Sequence, residues 1–353
     1  METRCIPADQ TGIIIAAEAI KAGQVVGIPT ETVYGLGADA MNPAAVLAIF
    51  KAKGRPADNP LIVHVLNKAQ ARELAQVTPL AESLMDAFWP GPLTLILPKL
   101  SRVPDVVTAG LPTVALRAPS HPAMRAVIAQ SGLPIAAPSA NRSGYPSPTT
   151  AAHVLSDLNG RIPLVLDGDV CDVGLESTVV DATGRVPWVL RPGFITPEML
   201  AAVAGECLVA GSAMRPLAEG ESAPSPGMRH RHYAPAAPLT LVKGTPDKAA
   251  ERIRQLCAGE EKPCVMALAH RLPAYEGLEV LNLGDDLNQA AHRLFHLLRQ
   301  ADKMGCSHLY AEALPEKGLG LALMNRLVHA ADFHVVNTKD LITSQEDTNN
   351  DQG

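Results

Sequence analysis

Hydrophobic and polar positions divide the chain into two stretches of different rhythm. In the first, short apolar runs recur at VVGIP (25–29), LIVHV (61–65), LTLILP (93–98), TVALRAP (113–119), LPIAAPS (133–139) and PLVLDG (163–168), each a predicted strand. Segments with helical spacing lie between several of them, at 43–52, 69–76, 80–88 and 121–131. Most of these strands are apolar on both sides, the pattern of a sheet covered by helices on its two faces. The alternation is not clean, and the runs around 163–190 suggest antiparallel pairing, so a mixed sheet is expected.

Beyond residue 238 the rhythm becomes regular. LTLV (239–242) precedes a helix around 246–258, then come PCVMALA, LEVLNLG and a helix around 286–304 that sets Leu287, Ala291, Leu294, Leu298 and Ala301 along one face. HLYAEAL (308–314) and a helix around 320–331 follow. Strands alternating with helices predict a small parallel α/β sheet of the Rossmann-like class. No G-x-G-x-x-G follows its first strand, so no dinucleotide site is assigned to it. Between the two stretches, Gly211 to Pro238 is crowded with Pro, Gly, Ser and Ala and cannot hold a regular helix or central strand. Its middle nevertheless carries Arg229, His230, Arg231, His232 and Tyr233, more chemistry than a spacer needs. The expected domains are thus 1–205, a linker over 206–238, a second α/β domain over 239–340 and a polar, disordered tail over 341–353.

Composition narrows the function. Of 353 residues 47% are hydrophobic but only 3% aromatic, enough for two cores packed with Ala, Val, Leu and Ile. A net charge of −6 argues against a broad nucleic-acid-binding face and leaves room for a local basic pocket. The six cysteines form no C-x-x-C pair and are expected to be reduced thiols. METRCIPAD has no apolar signal core, and no run reaches the roughly 18 apolar residues of a membrane span. A soluble cytoplasmic protein without membrane contact is expected.

The common nucleotide motifs are missing: there is no P-loop, and GLGADA (35–40) lacks the third glycine of the dinucleotide fingerprint. DGDVCDVGLEST fails as a calcium loop, and neither a serine-hydrolase motif nor a catalytic carboxylate pair is present. Four other segments set polar groups where a strand opens into a loop. IPTETVYGLGAD (28–39) offers the Thr30 and Thr32 hydroxyls, with Tyr34 as a flat wall. KAKGRPADNPLIVHV (51–65) concentrates Lys51, Lys53 and Arg55 and places His64 on the face of Ile62. TVALRAPSHP sets Arg117 in an apolar strand, where it needs an anion, either a substrate carboxylate or an Asp or Glu of the protein. With it goes PIAAPSANRSGYPSPT, a run of small donors. GLESTVVDATG and VLRPGFIT supply Ser177, Thr178 and Arg191. Lys, Arg, Ser, Thr and Asn without an evident nucleophile suit the orientation of anions better than covalent catalysis.

These segments together resemble the YrdC family of threonylcarbamoyl-AMP synthases. PTETVYGLGADA, the K-x-R of Lys53 and Arg55, the S-x-N of Ser139 and Asn141, FWPGPLTLIL, VALRAPSHP, ESTVVD and LRPGFIT fall in that family's order and spacing. SPGMRHRHYAP followed by a Rossmann-like domain resembles its long, two-domain form. The resemblance implies an open, twisted, mostly parallel sheet around a concave cavity. It implies contacts to L-threonine at Thr32, His64, Arg117, Ala137 and Ser177, with Arg117 on the carboxylate. It also implies contacts to ATP at Lys53, Arg55, Asn59, Thr113, Ser139, Asn141, Ser147, Arg191 and Tyr233, with Lys53 and Arg55 catalytic. The substrates implied are L-threonine, bicarbonate and ATP with Mg2+, and the product serves the machinery that transfers threonylcarbamoyl to tRNA. The linker would then be an active-site lid. A carbamoyl-adenylate enzyme of the same fold is the nearer alternative, but the acylphosphatase and zinc-finger segments that accompany it are missing. A non-catalytic RNA-binding module is disfavoured by the acidic charge.

Overall fold

The computed structural model describes residues 2–213, 215 and 232–338. The chain divides into two compact units, Met1–His230 and Arg231–Gly353.

In the first unit, the strands among the described residues are β1 (Arg4–Pro7), β2 (Val26–Ile28), β3 (Gly35–Asp39), β4 (Ile62–His64), β5 (Leu93–Pro98), β6 (Thr113–Arg117), β7 (Ile135–Ala136), β8 (Leu164–Asp167), β9 (Thr178–Asp181), β10 (Trp188–Arg191) and β11 (Leu208–Val209). They form one sheet in the order β1-β8-β2-β3-β7-β4-β6-β5-β9-β10-β11. β4 runs parallel to β6 and β5 to β9, whereas β5–β6, β9–β10 and both partners of β3 are antiparallel. The sheet is therefore mixed, and the mostly parallel sheet implied by the resemblance is corrected. GLGAD, read as an open loop, is β3. Packing overrides the weak strand propensity of its glycines, because a Cβ on Gly37 would lie 2.8 Å from Ile28 Cδ1.

Local chemistry accounts for the helix that presents the K-x-R pair. Asn42 caps Ala44 and Ala45, Pro43 starts Pro43–Lys53, and Gly54 ends it in the left-handed region at φ 63°. Helices pack on the sheet's alternating apolar residues, and the main core runs through Val63, Leu95, Leu116, Val180 and Val189.

In the second unit, β12 (Leu239–Lys243), β13 (Pro263–Ala267), β14 (Glu279–Asn282), β15 (His308–Glu312) and β16 (Val335–Asn337) form a parallel sheet in the order β14-β13-β15-β12-β16. The helix Leu287–Met304 buries Ala291, Leu294, Leu298 and Ala301 as its periodicity predicts. Cys264 and Cys306 form a disulfide, which corrects the reading of all six cysteines as free thiols. The pairing crosses 42 residues, a separation that carries no spacing signature in the sequence. No described helix is long and apolar enough to cross a membrane. Of the expected lid and tail, residues 214, 216–231 and 339–353 lie outside the described residues.

Candidate active site

Strand alternation gives the first sheet a second face. Val63, Leu116 and Leu95 point into the main core, while Ile62, Ala115, Ile96, Val179 and Leu190 join Ala210 in a small separate apolar cluster. His64 and Arg117 share that second face, two residues beyond Ile62 and Ala115, and stand opposite one another in the β4–β6 register. Thr94 and Ser177 reach it from β5 and the start of β9, and their hydroxyls are 2.7 Å apart. The register of β9 and β10 shifts between Val189 and Arg191, so that Arg191 stands opposite Val179. That bulge turns Arg191 from the core side to the polar side. Gly193 lets the following chain cross the β9 entry, since a Cβ there would come within 2.4 Å of Thr178 N.

Arg117 is the centre of the first polar group. It is 3% exposed, donates through Nη1 to Thr32 Oγ1 (2.9 Å) and through Nε to Gly91 O (3.3 Å), and places Nη2 2.7 Å from Glu31 Oε1. The pair is close as charges yet poorly directed as a hydrogen bond; the Arg117 guanidinium and the backbone N–H groups of Ser120 and of Glu31 itself face the carboxylate, none in good hydrogen-bond geometry. Burial pushes the Glu31 carboxyl upward, but the Arg117 charge outweighs it and holds the group below its usual range. Burial, then Arg117, push His64 down to about 3. His64 is thus a neutral imidazole at pH 7, and its buried Nδ1 has no partner. The Thr30–Thr32 loop is shaped internally: Thr30 Oγ1 donates to Val33 O at 2.6 Å and lies 2.8 Å from Thr32 Oγ1. Ala137, on the chain leaving β7, donates its N–H to Ile62 O at 2.9 Å.

A second group surrounds the S-A-N turn. Lys53 Nζ donates to Ser139 O and, at 2.7 Å, to Asn141 O, so this ammonium ties the end of its helix to the turn. Ser139 Oγ donates to Asn141 Oδ1 (2.5 Å), while Asn141 Nδ2 donates to Arg142 O and Tyr145 O. Asn59 is fully buried with no partner for either amide atom. Arg55 follows Lys53 by two residues and is half-buried, as is Thr113 at the head of β6. Ser147 donates to the Glu176 carboxylate. Arg191 donates from Nη2 to Ser177 O (3.0 Å) and Ser177 Oγ (3.2 Å).

Two further expected residues are buried. Tyr233 lies in the second unit, 4% exposed, with its ring 5.3 Å from Phe295 and under the Arg326 guanidinium. Tyr34, expected as a flat wall, is fully buried and its hydroxyl donates to Asp169 O at 2.8 Å. Sequence reasoning passed over Glu31, Thr94 and Glu176. A signal for Glu31 existed: it is the only charge between Lys21 and Asp39, and it stands between two threonines. The described residues contain no group of three or more His, Cys, Asp or Glu able to hold a metal ion.

Comparison with known proteins agrees along the chain. The Sua5–YciO–YrdC family model, described as telomere recombination, matches residues 18–193. The model described as the C-terminal domain of threonylcarbamoyl-AMP synthase matches residues 195–332. The threonylcarbamoyl-AMP synthases of Pyrococcus abyssi and Bacillus subtilis are 46% and 45% identical to it, over 92% and 91% of this chain and 95% and 93% of theirs. A crystal structure of P. abyssi Sua5 complexed with L-threonine superposes with a TM-score of 0.87 at 43% identity, covering 95% of this chain and 98% of that one. A variant of the same Sua5 with a His and the following Tyr replaced by alanine gives 0.89 with the same coverage. Matched over both of its units, the chain belongs to the threonylcarbamoyl-AMP synthase family.

Proposed function

We propose that the chain condenses L-threonine, carbon dioxide or bicarbonate, and ATP into L-threonylcarbamoyladenylate and pyrophosphate, for the modification of tRNA adenosine beside the anticodon. The observation that carries this reading is Arg117: a buried guanidinium with N–H groups on Nη1 and Nη2 unspent, flanked by Thr32 and a neutral His64. That arrangement suits a small carboxylate with a neighbouring hydroxyl. Ser177, tied to both Thr94 and Arg191, stands between this seat and the anion-binding arginine.

The threonine amine attacks the carbon of carbon dioxide, forming the N–C bond and releasing a proton. An oxygen of the resulting N-carboxylate attacks the α-phosphorus of ATP, and the bond to the bridging oxygen breaks to release pyrophosphate. No protein nucleophile is needed. Arg191 and Arg55 neutralise charge developing on the phosphates, while Asn59, Thr113, Ser139 and Ser147 orient the nucleotide. Lys53 serves by holding the S-A-N turn, and Asn141 by closing it. Magnesium enters with the triphosphate as part of the substrate. The donor set of the site, rich in Arg, Ser, Thr and Asn, suits phosphate oxygens rather than a resident cation. The only His–Tyr dipeptide of the chain is His232–Tyr233, and the linker around it acts as a lid that keeps water from the mixed anhydride.

Pyrophosphate release from ATP, with and without L-threonine and bicarbonate and with serine as control, tests the reading. Release that needs both threonine and bicarbonate supports it, and release indifferent to threonine overturns it. Deleting residues 225–235 should uncouple ATP turnover from stable product or abolish it; unchanged coupling reduces the linker to a tether.

A further inference from the structure

Glu31 is a carboxylate in the wrong place for a purely structural role. It is 3% exposed, ionised, and paired with an arginine that the reading above assigns to the substrate carboxylate. Its backbone is fixed from outside, because Val173 N–H donates to Glu31 O at 2.7 Å. Its side chain is not finished in the same way. Both carboxylate oxygens are buried and face only the Arg117 guanidinium and the backbone N–H groups of Ser120 and of Glu31 itself, none in good hydrogen-bond geometry, although an ionised carboxylate has about four acceptor positions. Buried acceptors left open in this manner are costly unless something completes them.

The missing donor can be deduced from charge and connectivity. Arg117 and Glu31 together are neutral, so the seat is matched to a ligand that is itself neutral overall but carries both signs. An α-amino acid is such a ligand, and its ammonium is attached to the carbon that bears the carboxylate. A carboxylate seated on the unspent Arg117 N–H groups therefore brings the ammonium among the side chains that face Arg117. Thr32 is a neutral hydroxyl and already receives Arg117 Nη1. His64 is neutral. Among the described residues Glu31 is the one anion paired with Arg117.

We propose that Glu31 receives the α-ammonium of the amino-acid substrate and is the residue that selects an amino acid over a hydroxy acid. The proposal rests on the functional reading above and adds to it a residue that none of the expected contacts includes. Arg117 and Glu31 then act as a charge pair that opens around a zwitterion of matching polarity, each group exchanging part of its partner for the oppositely charged end of the ligand.

The test is calorimetric binding to the full chain, without ATP, of L-threonine and of 2,3-dihydroxybutanoate, which replaces the ammonium by a hydroxyl. The wild-type protein should prefer L-threonine by about 10- to 100-fold, the usual effect of one charged hydrogen-bonded contact. Glu31→Gln should bring the two ligands within about 3-fold of one another, and Glu31→Asp should restore most of the preference. If Glu31 merely props Arg117, Glu31→Gln weakens both ligands alike and leaves the ratio unchanged, which overturns the proposal. Should Glu31→Gln fail to fold, the wild-type ratio decides alone: equal binding of the two ligands overturns the assignment, and the stated preference upholds it. A wild-type protein that binds no L-threonine overturns the functional reading itself, a result distinct from equal binding.

Discussion

Each unit holds an arginine–glutamate pair, buried in the first and half-buried in the second, and the two pairs are finished differently. In the second unit Arg271 Nε lies 3.2 Å from both Glu312 oxygens, Tyr275 donates to the same carboxylate, and Arg271 Nη2 donates to Pro246 O at 2.6 Å. That pair is a brace: it ties the end of β15 to the chain that leaves β12, and its carboxylate is shared by two well-placed donors. In the first unit Arg117 and Glu31 are drier, yet their hydrogen-bonding capacity is unfilled, and His64 Nδ1 and both Asn59 amide atoms are unfilled with them. The same residue types are therefore closed into a brace in one unit and left with capacity for the proposed ligand in the other, according to what their neighbours leave open. Burial and hydrogen-bond accounting separate the two together.

The largest expected effect separates them by activity. Arg117→Ala should lower threonine-dependent pyrophosphate release by about 100-fold or more, since it removes the partner of a buried anion. Arg271→Ala should leave that release within about 2-fold and lower stability in urea unfolding by about 1.5–3 kcal/mol. Equal losses of turnover in the two variants would erase the distinction.

A smaller effect concerns pH. Folded His64 takes its proton only near pH 3, against 6.5 for an ordinary histidine, so the unfolded chain protonates first as pH falls. The stability contributed by the neutral imidazole is present above pH 6.5 and is lost as pH falls toward 3. Glu31, held below its usual range, acts in the same direction at lower pH. His64→Asn should reduce the loss of stability between about pH 7.5 and pH 5 by about 2 kcal/mol, measured by denaturant unfolding at the two pH values. An unchanged pH dependence would mean that His64 is solvated. The smallest effect is expected of Ser147→Ala, which should raise KM for ATP about 3- to 10-fold with little change in kcat, as for one neutral hydrogen bond.

Much of the frame was legible in advance. The runs at 93–98 and 61–65 became β5 and β4 because local apolar patterning and burial agree there. Lys53–Asn141 joins segments far apart in the sequence and Arg191–Ser177 the two ends of one segment, and strand–loop chemistry singled out each partner as a candidate. The role of Lys53 was less legible, for a cation reads the same whether it faces a phosphate or a carbonyl turn. Glu31 was passed over because its neighbours, two threonines, attract attention as hydroxyls, and its pairing with Arg117 spans strands that are not adjacent in sequence. The Cys264–Cys306 bond was invisible for the same reason.

What the sequence determined by itself is what short-range chemistry can set: most strand and helix positions though not β3, the residue types that cap the K-x-R helix at Asn42 and Gly54, two α/β regions, and the resemblance to the family. Tertiary structure alone decided which polar groups meet and which remain open. Strand order put β6 between β4 and β5, the bulge in β10 turned Arg191 to the polar face, and the loop before β3 carried Glu31 onto Arg117. Those outcomes depend on register and on desolvation, and both are properties of the assembled sheet rather than of any segment within it.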